Sequence, residues 1–166
     1  MTAKYTVIDS QVLSTSAASV TFSSIPGGYK DLVLVLGTGG VAGSSARLRF
    51  NSDTGANYSW VRMEGNGSSA ASASGTGSFL PLSGNIYTDT GLTYNVQVSL
   101  LDFAATDKHK SVLHRVNQTT EPTYGGVGTA AHASRWANTA AITNIEVYGT
   151  TFAIGSTFFL YQIVSE

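Results

Sequence analysis

Residues 46–64 have the sequence ARLRFNSDTGANYSWVRME, and this stretch decides the fold class of the chain. Leu48 and Phe50 alternate with polar residues, and the same two-residue period begins again at Tyr58. This period is typical of β-strands, because successive side chains leave opposite faces of a strand. Residues 51–57 lie between the two runs and are of types that tolerate turns. We therefore predict a β-hairpin with a long, protruding loop.

The rest of the 166-residue chain predicts further strands and no helix. Short β-prone runs, separated by Gly, Pro or small polar residues, recur at the spacing of roughly 8 to 15 residues that is typical of sandwiches and jelly rolls. No window combines an apolar period of 3.6 with helix-capping signals. We predict one all-β domain over residues 1–166, an antiparallel β-sandwich or jelly roll of roughly nine to ten strands.

Two segments could lie outside this framework. Residues 65–77, GNGSSAASASGTG, are a low-complexity Gly/Ser-rich segment and are expected to form a loop. Residues 1–16 could form an N-terminal arm that reaches a partner, since terminal segments are free to do so. The alternative is that residues 5–13 form the first strand of the sandwich.

The composition limits the classes of partner. Charged residues make up 11% of the chain, well below the usual quarter or so, so its polar surface consists mainly of Ser, Thr, Asn, Gln and Gly. A net charge of -1 with nine Lys and Arg argues against a nucleic-acid partner. No apolar run suits a signal peptide or a membrane span, so we expect cytoplasmic synthesis and no membrane partner.

The sequence contains apparent catalytic and cofactor-binding motifs, but the residues around them do not fit the structures that such motifs require. Residues 36–43, LGTGGVAG, match the glycine fingerprint of dinucleotide-binding folds, but that motif needs a helix where residues 44–51 alternate like a strand. The three His show no metal-ligand spacing, the carboxylates are dispersed, and there is no Cys. We therefore expect no cofactor, no catalytic residue and no enzymatic activity.

Five residues are weak candidates for binding. Asn51, Asp53 and Asn57 could offer oxygen ligands to calcium, but their spacing does not fit an EF-hand loop, and a turn held by Asx-type hydrogen bonds is the alternative. Tyr124 and Trp136 are flanked by Gly or small residues in predicted loops, so they could stack on sugars, although aromatics in β-proteins mostly fill cores.

Several stretches together resemble a known group of proteins. They are residues 18–26 (ASVTFSSIP), 29–35 (YKDLVLV), 48–60 (LRFNSDTGANYSW), 138–143 (NTAAIT) and 155–163 (GSTFFLYQI). The chain resembles tailed-bacteriophage virion surface proteins of β-sandwich or jelly-roll fold, among them capsid decoration (cement) proteins. Members often end in a Leu-Tyr-Gly-Ile type strand, where this chain has Gln162 in place of the glycine.

The resemblance implies a non-enzymatic structural protein that decorates and cements the outer capsid surface of a phage, after synthesis in the bacterial host cytoplasm. Its implied partners are the major capsid protein and two further copies of itself in a homotrimer, since capsid lattices present threefold points. The alternative is a carbohydrate-binding module of a phage tail or head fibre, whose partner would be host surface glycans.

Overall fold

The structure is a computed structural model that describes residues 3–39, 46–65, 68–82, 93–118 and 128–165. Within these ranges the chain forms twelve β-strands and no helix, arranged as two antiparallel sheets. The prediction of an all-β sandwich is therefore confirmed, with more strands than the nine to ten expected. In the same ranges no helix is long and apolar enough to cross a membrane.

The twelve strands differ widely in length, from two residues to ten. They are β1 (Ala3–Val12), β2 (Ala17–Phe22), β3 (Asp31–Gly39), β4 (Arg47–Phe50), β5 (Tyr58–Gly65), β6 (Ala70–Gly77), β7 (Leu80–Pro81), β8 (Thr93–Leu101), β9 (Lys110–Gln118), β10 (Thr129–Trp136), β11 (Ile145–Phe152) and β12 (Thr157–Ser165). The larger sheet has eight strands in the order β1-β12-β3-β8-β9-β10-β5-β6, and the smaller sheet has four in the order β2-β11-β4-β7.

The hydrophobic core lies between the two sheets. Phe22 and Phe50 project into it from the four-stranded sheet, and Leu34, Val98 and Phe158 project into it from the eight-stranded sheet; all five are buried. Burying side chains of this size contributes about 1.5–3 kcal/mol each relative to exposure. The eight-stranded sheet thus has an inner face turned toward the core and an outer face turned away from the smaller sheet.

The predicted hairpin over residues 46–64 is wrong. Strand β4 belongs to the four-stranded sheet and β5 to the eight-stranded sheet, so the segment between them crosses from one sheet to the other. Phe50 and Tyr58 meet across the core with ring centroids 6.2 Å apart, and the backbone N–H of Phe50 donates to the Tyr58 hydroxyl at 3.1 Å. The alternation predicted both strands correctly, but it carries no information about which strand each one pairs with.

Both the Gly/Ser-rich segment and the N-terminal segment contain strands. Ala70–Gly77 forms β6, which pairs with β5 along its whole length and corrects the predicted loop. Small residues suit this position, since a Cβ on Gly75 would lie 2.7 Å from the Trp60 ring. Ala3–Val12 forms β1 and pairs with β12, so this part of residues 1–16 is an edge strand, as the alternative prediction had it, and not a free arm.

Candidate functional site

The connection between β4 and β5 contains the three calcium candidates, and Asn51 fastens it to a neighbouring segment. The Asn51 side-chain oxygen accepts hydrogen bonds from the backbone N–H groups of Thr143 at 2.9 Å and Asn144 at 3.0 Å. Its amide nitrogen donates to the Ala141 carbonyl at 2.7 Å. Asn51 has a φ of 50°, a left-handed conformation that Asn tolerates better than most residues. Its oxygen therefore serves a structural role.

The Asp53 carboxylate is the centre of the same connection. It accepts hydrogen bonds from the Gly55 backbone N–H at 2.8 Å, from the Asn57 side-chain amide at 2.9 Å and from the Trp136 indole N–H at 2.7 Å. Desolvation raises its pKa, but these three bonds, with a smaller contribution from the nearby Asn138 amide, outweigh that effect and hold the pKa below the ordinary value of an aspartate. Among the described residues no three His, Cys, Asp or Glu side chains are grouped to hold a metal.

Trp136 does not lie where a ligand could stack on it, which corrects its prediction as a sugar-binding residue. Its side chain is 0% exposed and stacks on Tyr58 with ring centroids 6.3 Å apart. The small residues before it suggested a loop, but they form strand β10 and alternate between the two faces of the sheet. The other sugar-binding candidate, Tyr124, lies outside the described residues.

The outer face of the eight-stranded sheet exposes large apolar side chains. Val61 is 55% exposed, Met63 66% and Leu113 47%. Val61 and Leu113 lie in one row across the sheet, with a small residue of β10 between them. Over strands β5, β6, β8, β9 and β10 this face carries two charged side chains, Arg115 and Arg135. It is therefore an open surface with little charge.

A groove of about 770 Å³ crosses this outer face from β3 to β5. Several polar side chains stand next to one another in a lining that is otherwise largely apolar: Asn95 lies opposite Asn117 on the neighbouring strand, and the Arg115 guanidinium donates to the Gln97 side-chain oxygen at 2.6 Å. We call this the amide groove. Its lining side chains on the outer face are Val35, Met63, Asn95, Gln97, Arg115, Asn117, Thr129 and Ala131. Sequence patterns missed it, since its members come from five strands.

The inner face of the same sheet holds a buried polar group, which we call the histidine cluster: Arg62, His114, His132 and Ser134. His114, His132 and Arg62 lie side by side on β9, β10 and β5. The two imidazole rings stack with centroids 4.0 Å apart, and they are 4% and 3% exposed. Arg62 is paired with the Glu64 carboxylate at 3.0 Å.

Burial sets the protonation of this cluster. Desolvation and, to a smaller extent, the neighbouring His132 together lower the pKa of His114 to about 3, although the Pro81 carbonyl acts in the opposite direction. Desolvation and Arg62 lower the pKa of His132 to about 4. Within the described part of the chain, no ring nitrogen of either histidine and no Ser134 hydroxyl has a partner in hydrogen-bonding geometry. Both rings are therefore neutral at neutral pH.

Comparisons with known proteins leave the family open. No protein-family model and no curated protein matches the sequence. The chain is similar to galectin LEC-6 of Caenorhabditis elegans at 10% identity and a TM-score of 0.39, with 94% of this chain and 96% of that chain covered. It is less similar to a putative pore-forming toxin of Bacteroides vulgatus, at 7% identity and a TM-score of 0.11, with 91% and 53% covered. Neither likeness assigns a function.

Proposed function

We propose that the chain is a non-enzymatic virion protein of a tailed phage, which decorates and cements the outer capsid surface. The observation that supports this function best is the outer face of the eight-stranded sheet, where Val61, Met63 and Leu113 are 47% to 66% exposed. Contiguous exposed apolar surface marks protein contacts, and interface cores are depleted of Lys, Glu and Asp. The outer-face residues of β5, β6, β8, β9 and β10 include no Lys, Glu or Asp.

The resemblance to decoration proteins also suggests the fold variant, the oligomeric state and the capsid contacts of the chain. The sandwich would be a variant of the jelly roll, and three copies would assemble as a homotrimer at a threefold position of the capsid lattice. Each trimer would contact several copies of the major capsid protein, so that weak individual contacts add up through multivalency. A rigid sandwich suits this role, because anchoring requires a fixed surface and no reaction centre.

The test is binding to capsid shells of the parent phage assembled without this protein. We expect the wild-type chain to cosediment with shells at about 0.1 M and at about 1 M salt, because apolar contacts are not screened. Val61→Asp and Leu113→Asp should abolish binding, trimer formation or both, as measured by cosedimentation and light scattering. Ile154→Asp is the matched control, since Ile154 is 69% exposed but lies in the turn after β11, away from this face.

Two outcomes would contradict this function in different ways. If the wild-type chain does not bind shells, the decoration role is wrong. If Val61→Asp and Leu113→Asp bind shells and form trimers as well as Ile154→Asp does, the outer face is not the contact surface. Circular dichroism of each variant establishes that the sandwich is folded, which these exposed positions should permit.

A second candidate function, recognition of host surface glycans, is favoured by the amide groove. Asn95, Gln97 and Asn117 place amide donors and acceptors side by side on adjacent strands, and Met63 adds an apolar wall. Such a lining suits a neutral oligosaccharide, whose hydroxyl groups both donate and accept hydrogen bonds. The groove volume lies within the range of small-molecule sites, about 300–1,000 Å³.

A glycan array with the purified protein tests this candidate, followed by calorimetry with the glycans it retains. Asn95→Ala and Asn117→Ala should each weaken binding about tenfold or more, the effect of losing a hydrogen bond to a desolvated ligand. Asn138→Ala is the matched control, because this residue lies in the turn after β10. Absence of any retained glycan, or equal affinity of all three variants, would exclude the groove as a sugar site.

A further inference from the structure

The histidine cluster places three potential cations in one buried row. His114 and His132 stack at 4.0 Å, and Arg62 lies beside His132 on the next strand. Within the described ranges, the carboxylate beside them is that of Glu64, and it is already paired with Arg62 at 3.0 Å. The neighbours of His114 on β8 and β7, Val98 and Pro81, do not titrate. Among the described residues, therefore, no free anion lies beside the two rings to stabilise an added positive charge.

We propose that His114 and His132 form an acid-sensitive switch, which keeps the sandwich folded at neutral pH and opens it in mild acid. A proton on either ring would place an imidazolium 4.0 Å from the other ring and, on the His132 side, next to a guanidinium. Both positions are cut off from solvent. A buried charge without a partner is strongly destabilising, so the chain takes up the protons by unfolding.

The direction of the effect follows from proton linkage. The pKa values of His114 and His132, about 3 and about 4 in the folded protein, lie below the ordinary 6.5. Between these values the unfolded chain binds more protons, so stability is full above about pH 6.5 and falls as the pH decreases. At about pH 4.5, each histidine multiplies the unfolding equilibrium constant by roughly a hundred, and the pair by roughly ten thousand.

Urea denaturation of the full chain at about pH 7.5 and at about pH 4.5 measures this effect. We expect the unfolding constant of the wild-type protein to rise by roughly four orders of magnitude, and His132→Gln to remove roughly two of them. The matched control His109→Gln removes an exposed histidine outside the cluster and should keep the wild-type response. If His114→Gln and His132→Gln fold but respond to acid as the wild type does, the proposal is wrong.

A second measurement uses the wild-type protein alone, so it does not depend on whether the histidine variants fold. The imidazole carbon-bound protons of His114 and His132 in the wild-type protein can be followed by NMR as the pH is lowered. We expect the two resonances to stay at neutral-imidazole positions until the signals of the folded state disappear. Titration of either ring near pH 6.5 within a fully folded protein would overturn the switch.

Discussion

Replacing Asp53 by Ala should destabilise the sandwich by about 3 kcal/mol, although the residue lies in a connection between strands. The substitution removes three hydrogen bonds, from Trp136, Asn57 and Gly55. The Trp136 indole is buried, so its unpaired N–H costs about 1–3 kcal/mol. The other two donors can reach water and contribute about 0.5–1 kcal/mol each. The sum is about 2–5 kcal/mol.

Urea denaturation at neutral pH, followed by tryptophan fluorescence, measures this loss. Asn57→Ala removes one of the three bonds and should cost about 0.5–1 kcal/mol. Trp136→Phe removes the buried donor, so the double variant with Asp53→Ala should show a coupling energy of about 1–2 kcal/mol. A loss below about 1 kcal/mol for Asp53→Ala, or the absence of coupling to Trp136, would refute the view that this bond joins the connection to the core.

Three further predictions concern other parts of the fold. Gly75→Ala should cost about 1–3 kcal/mol in urea denaturation, because its Cβ would lie 2.7 Å from the Trp60 ring, whereas Gly77→Ala meets nothing within 4 Å and should not destabilise. Lys110→Met should cost about 2 kcal/mol, since the buried ammonium donates to the carbonyls of Ala105, Lys108 and Thr139; the exposed Lys108→Met is its control. Millimolar calcium should leave the thermal midpoint unchanged, because protein donors already occupy the side-chain oxygens of Asn51 and Asp53; an upward shift would contradict this.

The sequence predicted local geometry better than it predicted partners. Alternation identified β4 and β5 correctly, but it could not show that they belong to different sheets, since pairing depends on strands far away in the chain. The Gly/Ser-rich composition of residues 65–77 suggested a loop, because composition alone does not show that a neighbouring strand is available for pairing. β6 is a strand because β5 offers a complete partner for Ala70–Gly77, and because Trp60 needs a glycine beside it.

The candidate sites were harder to predict than the fold. Trp136 lies in a segment of small residues, a composition that occurs both in loops and in strands beside bulky neighbours. Its burial depends on Tyr58 and Phe50, which come from elsewhere in the chain. The amide groove depends likewise on register: Asn95 and Asn117 are 22 positions apart in the sequence, and only the pairing of β8 with β9 makes them neighbours.

Strand β9 contributes both to the proposed contact surface on the outer face and to the proposed histidine switch on the inner face. One register of its pairing determines which side chains lie on each of these two faces. Val112 and Val116 point inward and pair with Leu100 and Val96, and alternation then forces His114 inward and Leu113 outward. A shift of one residue would expose both valines and bury Arg115. Burying the charged guanidinium of Arg115 costs more free energy than burying a neutral imidazole. The buried histidine and the exposed leucine are thus consequences of the same pairing. A variant that moves this register should therefore change acid stability and surface association together.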